Sequence, residues 1–561
     1  MRLRSAASLM MVLLAGCPRE ASAPAVTRAP ATAPTRPRLA VVLVVDQMRA
    51  DYLERYADLY RGGLARLRGN SAWFVEAEVA HALTYTAPGH ASVATGSHPA
   101  RHGVVANAWY DRADGAAVYA ADDPRAVPSL TSESPAKLAG RSPRQLERGT
   151  LGDWLKEQEP KARVFSVALK DRAAVMMGGH SPDRAYWYYP EVAGFGSSSV
   201  YAGGAPPPAW VAAFNAAGPV FARFAAGWTR MLDPMAYLRS GPDRVAAEHD
   251  GVAVEFPHVF DDGKPDTRAA FAKQLLWTPF GDEMSLAFAR ALVDAEGLGA
   301  DEVPDVLMLS LSSADYVGHR YGPFSHEIED YYLRLDVWLG EFLKFLDEEV
   351  GEGGYVLALT ADHGALPLPE EARLRGYPTA RRVVSGDYYP AVRAAVLPVL
   401  AELGLPPTTL LHVGEDGVWL GDPGDETGAA ALRTVVAAAL RKLDFVADTY
   451  TADELAAPAD LRRPFLYRYQ RSYYGPRSPD VQLRFKEWSL VDAQAGGTSH
   501  GSPYRYDSHV PLLFFGAGVR PGVHRGTVGT VDVAPTIAAL LGVRAPADID
   551  GRSLVDLVRD R

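Results

Sequence analysis

Short, continuous apolar runs alternate along this chain with longer stretches of mixed polarity, and the runs have the length of strands rather than helices. Leu39 to Val45 reads LAVVLVV, and seven apolar positions rich in branched side chains predict a strand buried on both faces, as in a helix-covered parallel sheet. Arg163 to Leu169, Asp305 to Ser312, Tyr355 to Thr360 and Val510 to Phe515 share that character. Between them lie helical patterns at Arg49 to Arg61, Asp330 to Val350 and Val533 to Leu541. A shorter helix is framed by Pro88 in its first turn and by Gly96 as a left-handed stop, so it runs to Thr95 with Thr86 at its mouth. Strand and helix alternate without an internal repeat, which predicts an α/β fold: a largely parallel central sheet flanked by helices. Two intervals, about 176–300 and 366–488, break the pattern. The first is irregular and aromatic, with Tyr186-Trp187-Tyr188-Tyr189 and a Gly/Pro-rich stretch from Gly203 to Pro208. Both read as insertions that cover a site, the second with a small subdomain from Ala391 to Leu443.

The first residues carry a different message. Arg2 and Arg4 precede an apolar run from Leu9 to Leu14, too short to span a bilayer, and Leu14-Ala15-Gly16-Cys17 follows. That tetrapeptide resembles a bacterial lipoprotein signal, which implies cleavage after residue 16 and a lipid on Cys17, the only cysteine in the chain. Residues 17–38, rich in Pro and Ala, cannot bury enough apolar surface to order themselves and read as a tether. The protein is therefore expected outside the cytoplasm, in a periplasm or at a cell surface, held to a membrane by its lipid. Its 561 residues, 48% of them hydrophobic, can bury a large core, and no intrachain disulfide is available to staple it. A net charge of −11, or −13 once Arg2 and Arg4 have left, speaks against nucleic acid as a structural partner.

Chemistry gathers where the strands end. Asp46 follows the first run, where it is either a ligand at a carboxyl end or the cap of the next helix. Asp315 and His319, four apart, follow the third, and Asp362-His363-Gly364 follows the fourth. With His500 these make three carboxylates and three imidazoles, a donor set that suits zinc better than calcium or magnesium. Two such ions can hold both the attacking and the leaving oxygen of a displacement at phosphorus. Thr86, at a helix N-terminus where an anion is favoured, supplies a hydroxyl to attack, although an ordinary capping hydroxyl would look the same. Lys170 and Arg172 follow the second run; in an extended chain both point to one side and clamp a dianion, whereas a solvated turn would make them idle.

Taken together, Asp46, Thr86-Ala-Pro-Gly-His90, Asn107, Lys170-Asp-Arg172, Asp315-x-x-x-His319, Asp362-His363 and His500-Gly resemble the alkaline phosphatase superfamily. The match is nearest to bacterial alkaline phosphatases with a threonine nucleophile and covers most of Leu39 to Val558. The resemblance implies a catalytic domain over 39–561 and two zinc ions. Asp46, Asp362, His363 and Thr86 would bind one, and Asp315, His319 and His500 the other. Asn107, Lys170 and Arg172 would hold the phosphoryl oxygens of small phosphate monoesters, hydrolysed through a phosphothreonine. His509 competes with His500 as the last ligand; the family's ligand is followed by Gly, which favours His500.

Related readings remain. Nucleotide pyrophosphatase/phosphodiesterases share the metal ligands and the Thr and Asn, but lack the Lys-x-Arg pair. Sulfatases need Cys or Ser in a Cys/Ser-x-Pro-x-Arg motif, and His90 stands where that Arg belongs. A tethered phosphate-binding protein without turnover is the reading from another class.

Overall fold

The computed structural model describes residues 36–559 apart from 250, 252, 265, 266 and 425. The expected signal segment, Cys17 and the tether up to residue 35 lie outside the described residues.

Leu39–Val45 is the centre of an 11-stranded sheet. It pairs in parallel with Tyr355–Thr360 on one side and Asp305–Leu311 on the other. Val164–Ala168 and Arg184–Tyr189 extend the parallel run beyond Asp305–Leu311. On the far side His509–Gly516 lies antiparallel to Tyr355–Thr360, and Ala72–Glu78 antiparallel to it. The sheet is mostly parallel and covered by helices, as the apolar runs predict. The reason is visible in the central strand, where alternate residues enter different cores. Leu39, Val41, Leu43 and Val45 pack with the helices Phe280–Glu296 and His326–Glu349. Ala40, Val42 and Val44 pack on the other face with Leu151–Gln158 and Val533–Leu540. No position on this strand faces water, so a polar side chain there would need a buried partner; each Val or Leu buried there contributes about 1.5–3 kcal/mol.

Several boundaries differ from expectation. The long helix begins at His326 rather than Asp330, because the Ser325 hydroxyl accepts the Ile328 N–H at 3.1 Å and caps an earlier turn. The helix expected over Arg49 to Arg61 contracts to Tyr52–Arg55. Asp51 draws in both Arg49 and Arg55, and Tyr52 and Tyr56 stack on Tyr332, so packing rather than periodicity shapes that segment. The interval 176–300 is not irregular throughout. Its aromatic run forms the strand Arg184–Tyr189, which with Gly194–Ser198 joins the main sheet, since aromatic side chains suit a pleated, buried surface. Its end, Phe280–Glu296, is a 17-residue helix against the core.

The small subdomain reaches past the segment from Ala391 to Leu443. Its four-stranded sheet runs in the order Leu410–Val413, Gly417–Leu420, Val481–Phe485, Val446–Thr451. Helices Ser385–Glu402 and Glu426–Leu440 cover it, and Tyr388, Val392, Val436 and Leu483 fill a core of its own. Among the described residues no helix is long and apolar enough to cross a membrane.

Candidate active site

Parallel pairing brings the carboxyl ends of four strands to one rim. Read across the sheet, the residues just beyond those ends are Asp362 and His363, then Asp46, then Asp315 and His319, then Lys170. The antiparallel strand starts at the same rim, so the loop before His509 delivers His500 there too.

The three imidazoles are aimed by the main chain. Nδ1 of His319 lies 2.7 Å from the Thr498 carbonyl, that of His500 2.6 Å from Thr84, and that of His363 3.0 Å from Gly364. A proton held on Nδ1 leaves the Nε2 lone pair to a ligand, the arrangement found in histidines that bind metals. Those Nε2 atoms face carboxylates: His319 is 3.1 Å and His500 3.6 Å from Asp315 Oδ1, and His363 is 3.2 Å from Asp362 Oδ2 and 3.5 Å from Asp46 Oδ1. His363 Nε2, Asp46 Oδ1 and Asp362 Oδ2 are all buried without a hydrogen-bond partner. Buried polar atoms are seldom left so, and three that converge fit a cation. Two groups have donor atoms within 4.8 Å of one another around such a point: Asp315 with His319 and His500, and Asp46 with Asp315 and His363. A third, Asp46 with His90 and Asp362, shares the first strand's acid.

Burial and neighbouring charges act differently on the acids and imidazoles of this rim. Burial and the adjacent Asp362 hold Asp46 well above the usual carboxylate range. For Asp315 burial acts the same way, but His319 and Lys170 outweigh it and the acid stays ionised. Burial, then His363 and His319, keep His500 neutral. Asp315 and His500 thus stand in their ligating forms, an ionised carboxylate and a neutral imidazole. Asp46 is instead held toward its protonated form, and His319, which burial alone would lower, is raised by Asp315.

Thr86 begins the helix Thr86–Thr95, which ends at Gly96 in the left-handed conformation. The N-cap position is Tyr85, so the Thr86 hydroxyl is not the cap; its Oγ1 lies 3.4 Å from the Lys170 ammonium. Asp46 is not a helix cap either, since the next helix starts after Asp51. The expectation of an extended Lys170-Asp171-Arg172 fails. The strand stops at Ala168 and Lys170 is the N-cap of the helix Asp171–Gly178, so the side chains do not alternate across a strand. Lys170 is buried and donates to Asp46 Oδ2 at 2.6 Å and Asp315 Oδ2 at 2.5 Å. Burial alone would lower its pKa, but the two carboxylates more than reverse this. Arg172 joins Lys170 in lining a cavity of about 240 Å³; it donates to the Tyr119 hydroxyl at 3.3 Å, while its buried Nε has no partner. Asn107 Oδ1 accepts the Ala87 N–H at 2.9 Å, which sets its NH2 beside the start of the Thr86 helix. His509 stands apart, with Nε2 at 2.9 Å from the Val75 carbonyl.

Residues 40–410 match the family described as type I phosphodiesterase / nucleotide pyrophosphatase. The chain belongs to that family. Its relatives within the alkaline phosphatase superfamily include the alkaline phosphatase PafA of Elizabethkingia meningoseptica, 33% identical over 536 residues that cover 93% of this chain and 95% of PafA. The alkaline phosphatase PhoV of Synechococcus elongatus is 33% identical over 534 residues, 93% of each chain. The crystal structure of wild-type PafA superposes with a TM-score of 0.83 at 32% identity, over 94% of this chain and 99% of that one. A PafA variant substituted at a threonine, an asparagine, and a lysine and arginine two residues apart superposes at 0.84.

Two residues of this family member escape sequence reasoning. His90 follows Thr86 by one helical turn, its Nδ1 3.1 Å from Asp362 Oδ2 and 2.9 Å from the Thr86 carbonyl, its Nε2 2.8 Å from Ser310 Oγ. The spacing of four on one helix was the available signal. Gln47 carried none. It adopts φ +65°, unusual for a residue with a side chain, donates its backbone N–H to Asp362 Oδ1 at 3.2 Å and its amide to Asp315 Oδ1 at 2.7 Å. Gly318 makes room for it, since a Cβ there would lie 1.8 Å from Gln47 Oε1.

Proposed function

We propose that this protein hydrolyses phosphate monoesters through a phosphothreonine on Thr86, with broad specificity suited to phosphate scavenging outside the cytoplasm. The observation that carries the reading is the buried Lys170 ammonium beside Thr86 Oγ1, paired with Asp46 and Asp315, which belong to the two candidate metal groups. Asp46, Asp362 and His363 would hold one divalent cation with Thr86, and Asp315, His319 and His500 a second; the mixed donor set selects zinc. When bound, the ions supply the positive charge that ionises the threonine hydroxyl and offsets charge on the ester. Thr86 Oγ forms the bond to phosphorus as the ester oxygen departs and takes up a proton. Water then cleaves the phosphothreonine, releasing phosphate and restoring the hydroxyl. Asn107, with Oδ1 engaged by Ala87, has NH2 donors left for a phosphoryl oxygen, and Arg172 has an unused buried Nε. Two fixed cations, Lys170 and Arg172, favour a dianionic monoester over a diester. The substituted positions of the PafA variant are of the same four residue types in the same order.

Comparing p-nitrophenyl phosphate with bis(p-nitrophenyl) phosphate tests the assignment: the monoester should be cleaved faster. Faster diester cleavage would instead support the phosphodiesterase reading that the family's description raises. We also propose a lipid anchor on Cys17, supported by Leu14-Ala15-Gly16-Cys17. Replacing Cys17 with Ala should move the protein from the membrane to the soluble fraction.

A further inference from the structure

A hairpin of the small subdomain returns to this site. Glu415 and Asp416 sit in its turn, between Leu410–Val413 and Gly417–Leu420. Both line a cavity of about 330 Å³ whose walls also include Asn107 and Tyr85, the residue before Thr86. The same two acids and Tyr85 line a second cavity of about 60 Å³, which His500 also lines. The cleft thus borders the reaction site from Asn107 to His500, where the substituent on the departing ester oxygen must be accommodated.

Its walls are acids and rings, with Arg393 close enough to act on His412. Tyr110 lies flat on His412, with ring centroids 5.0 Å apart and planes 5° apart. Trp419 meets the pair edge-on at 6.2 and 5.4 Å. The indole N–H of Trp419 is buried without an acceptor, although the residue is only 3% exposed. The charges acting on Glu415 and Asp416 are themselves acidic: Asp492 on the first, Glu415 on the second. Burial, with Glu415, raises Asp416 to about 7, the mark of a carboxylate without a counter-charge. Uncompensated carboxylates beside electron-rich ring faces attract an organic ammonium group and repel an anion.

We propose that this cleft binds the leaving group, and that the preferred substrates are phosphate monoesters of amino alcohols, with the ammonium group held between Glu415, Asp416 and the Tyr110–His412–Trp419 wall. The proposal rests on the monoesterase reading for its position in the reaction, and on the cleft alone for its ligand chemistry.

The test uses the zinc-loaded full chain and two esters of equal shape, phosphocholine and 3,3-dimethylbutyl phosphate, which differ in one positive charge. The unmodified protein should prefer phosphocholine by about tenfold in kcat/KM. In Glu415→Gln with Asp416→Asn the ratio should fall toward one, and equal values in the unmodified protein overturn the proposal. A second measurement needs neither turnover nor substitution. Choline should change the tryptophan fluorescence of the zinc-loaded protein at concentrations where the uncharged 3,3-dimethylbutanol does not; an equal response, or none, overturns the subsite. Failure to cleave p-nitrophenyl phosphate would refute the enzymatic reading instead, and the choline titration would still decide what the cleft binds.

Discussion

The rim of the central sheet and the hairpin of the small subdomain face the same space, yet they are built by opposite rules. At the rim the acids Asp46 and Asp362 and the histidine His363 lie just beyond fully buried strands, and ion-pair neighbours fix them: Lys170 between Asp46 and Asp315, His363 between Asp46 and Asp362. At the hairpin, Glu415 and Asp416 sit in a turn and have no partner of opposite charge among the described residues. On the proposed reading the rim sets which bond is broken, and its buried ion pairs hold it in place. On the same reading the hairpin sets which molecule is offered, since its acids lie in a turn outside the main core.

The largest break in that contrast should come from Thr86→Ala. It should lower kcat/KM for p-nitrophenyl phosphate by about 10³-fold or more while metal content and fold persist. Substantial residual turnover with unchanged metal content would remove Thr86 from the role. Stripping the ions with a chelator should abolish activity equally, and elemental analysis after zinc restores it should find two equivalents per chain. Next comes Lys170→Ala, expected to cost about 10²-fold on the monoester and less on the diester. Equal losses would mean that Lys170 serves the carboxylates alone.

Gly318→Ala tests the rim's rigidity rather than its chemistry. A methyl group 1.8 Å from Gln47 Oε1 must displace that side chain, and a loss of about 1–3 kcal/mol should appear in thermal unfolding. The last test belongs to the hairpin. Asp416 titrates at about 7 when folded, above its unfolded value, so the folded state holds a proton that the unfolded state gives up between about pH 4 and 7. Its contribution to stability is thus lost as pH rises through that window. Asp416→Asn should raise the melting temperature at pH 8 and leave it nearly unchanged at pH 4; the same shift at both would place the effect elsewhere.

The same contrast governs what the sequence makes legible. A strand such as LAVVLVV announces itself because both its faces are buried, and the acids beyond such runs are conspicuous by their position. Lys170 and Arg172 were recognisable as a pair, but their geometry was not, because nothing in the composition shows that the strand stops at Ala168. His90 sat in plain view within Thr86-Ala-Pro-Gly-His90, and its contact with Asp362 depends on a helix docking that only Gly89 permits, since a Cβ there would lie 2.6 Å from the Asp362 carbonyl oxygen. The cleft was illegible altogether. Tyr110, His412 and Trp419 come from strands of two separate sheets, and no local periodicity foretells their meeting.

Each of the three imidazoles at the rim leans on a peptide carbonyl. Substitution can erase a side-chain prop, but a peptide oxygen survives every amino-acid replacement at its position. The aim of these rings is accordingly insulated from mutational drift in Thr84, Gly364 and Thr498 so long as the backbone path holds. The surrounding loops are left free to diverge while the three rings keep the same aim.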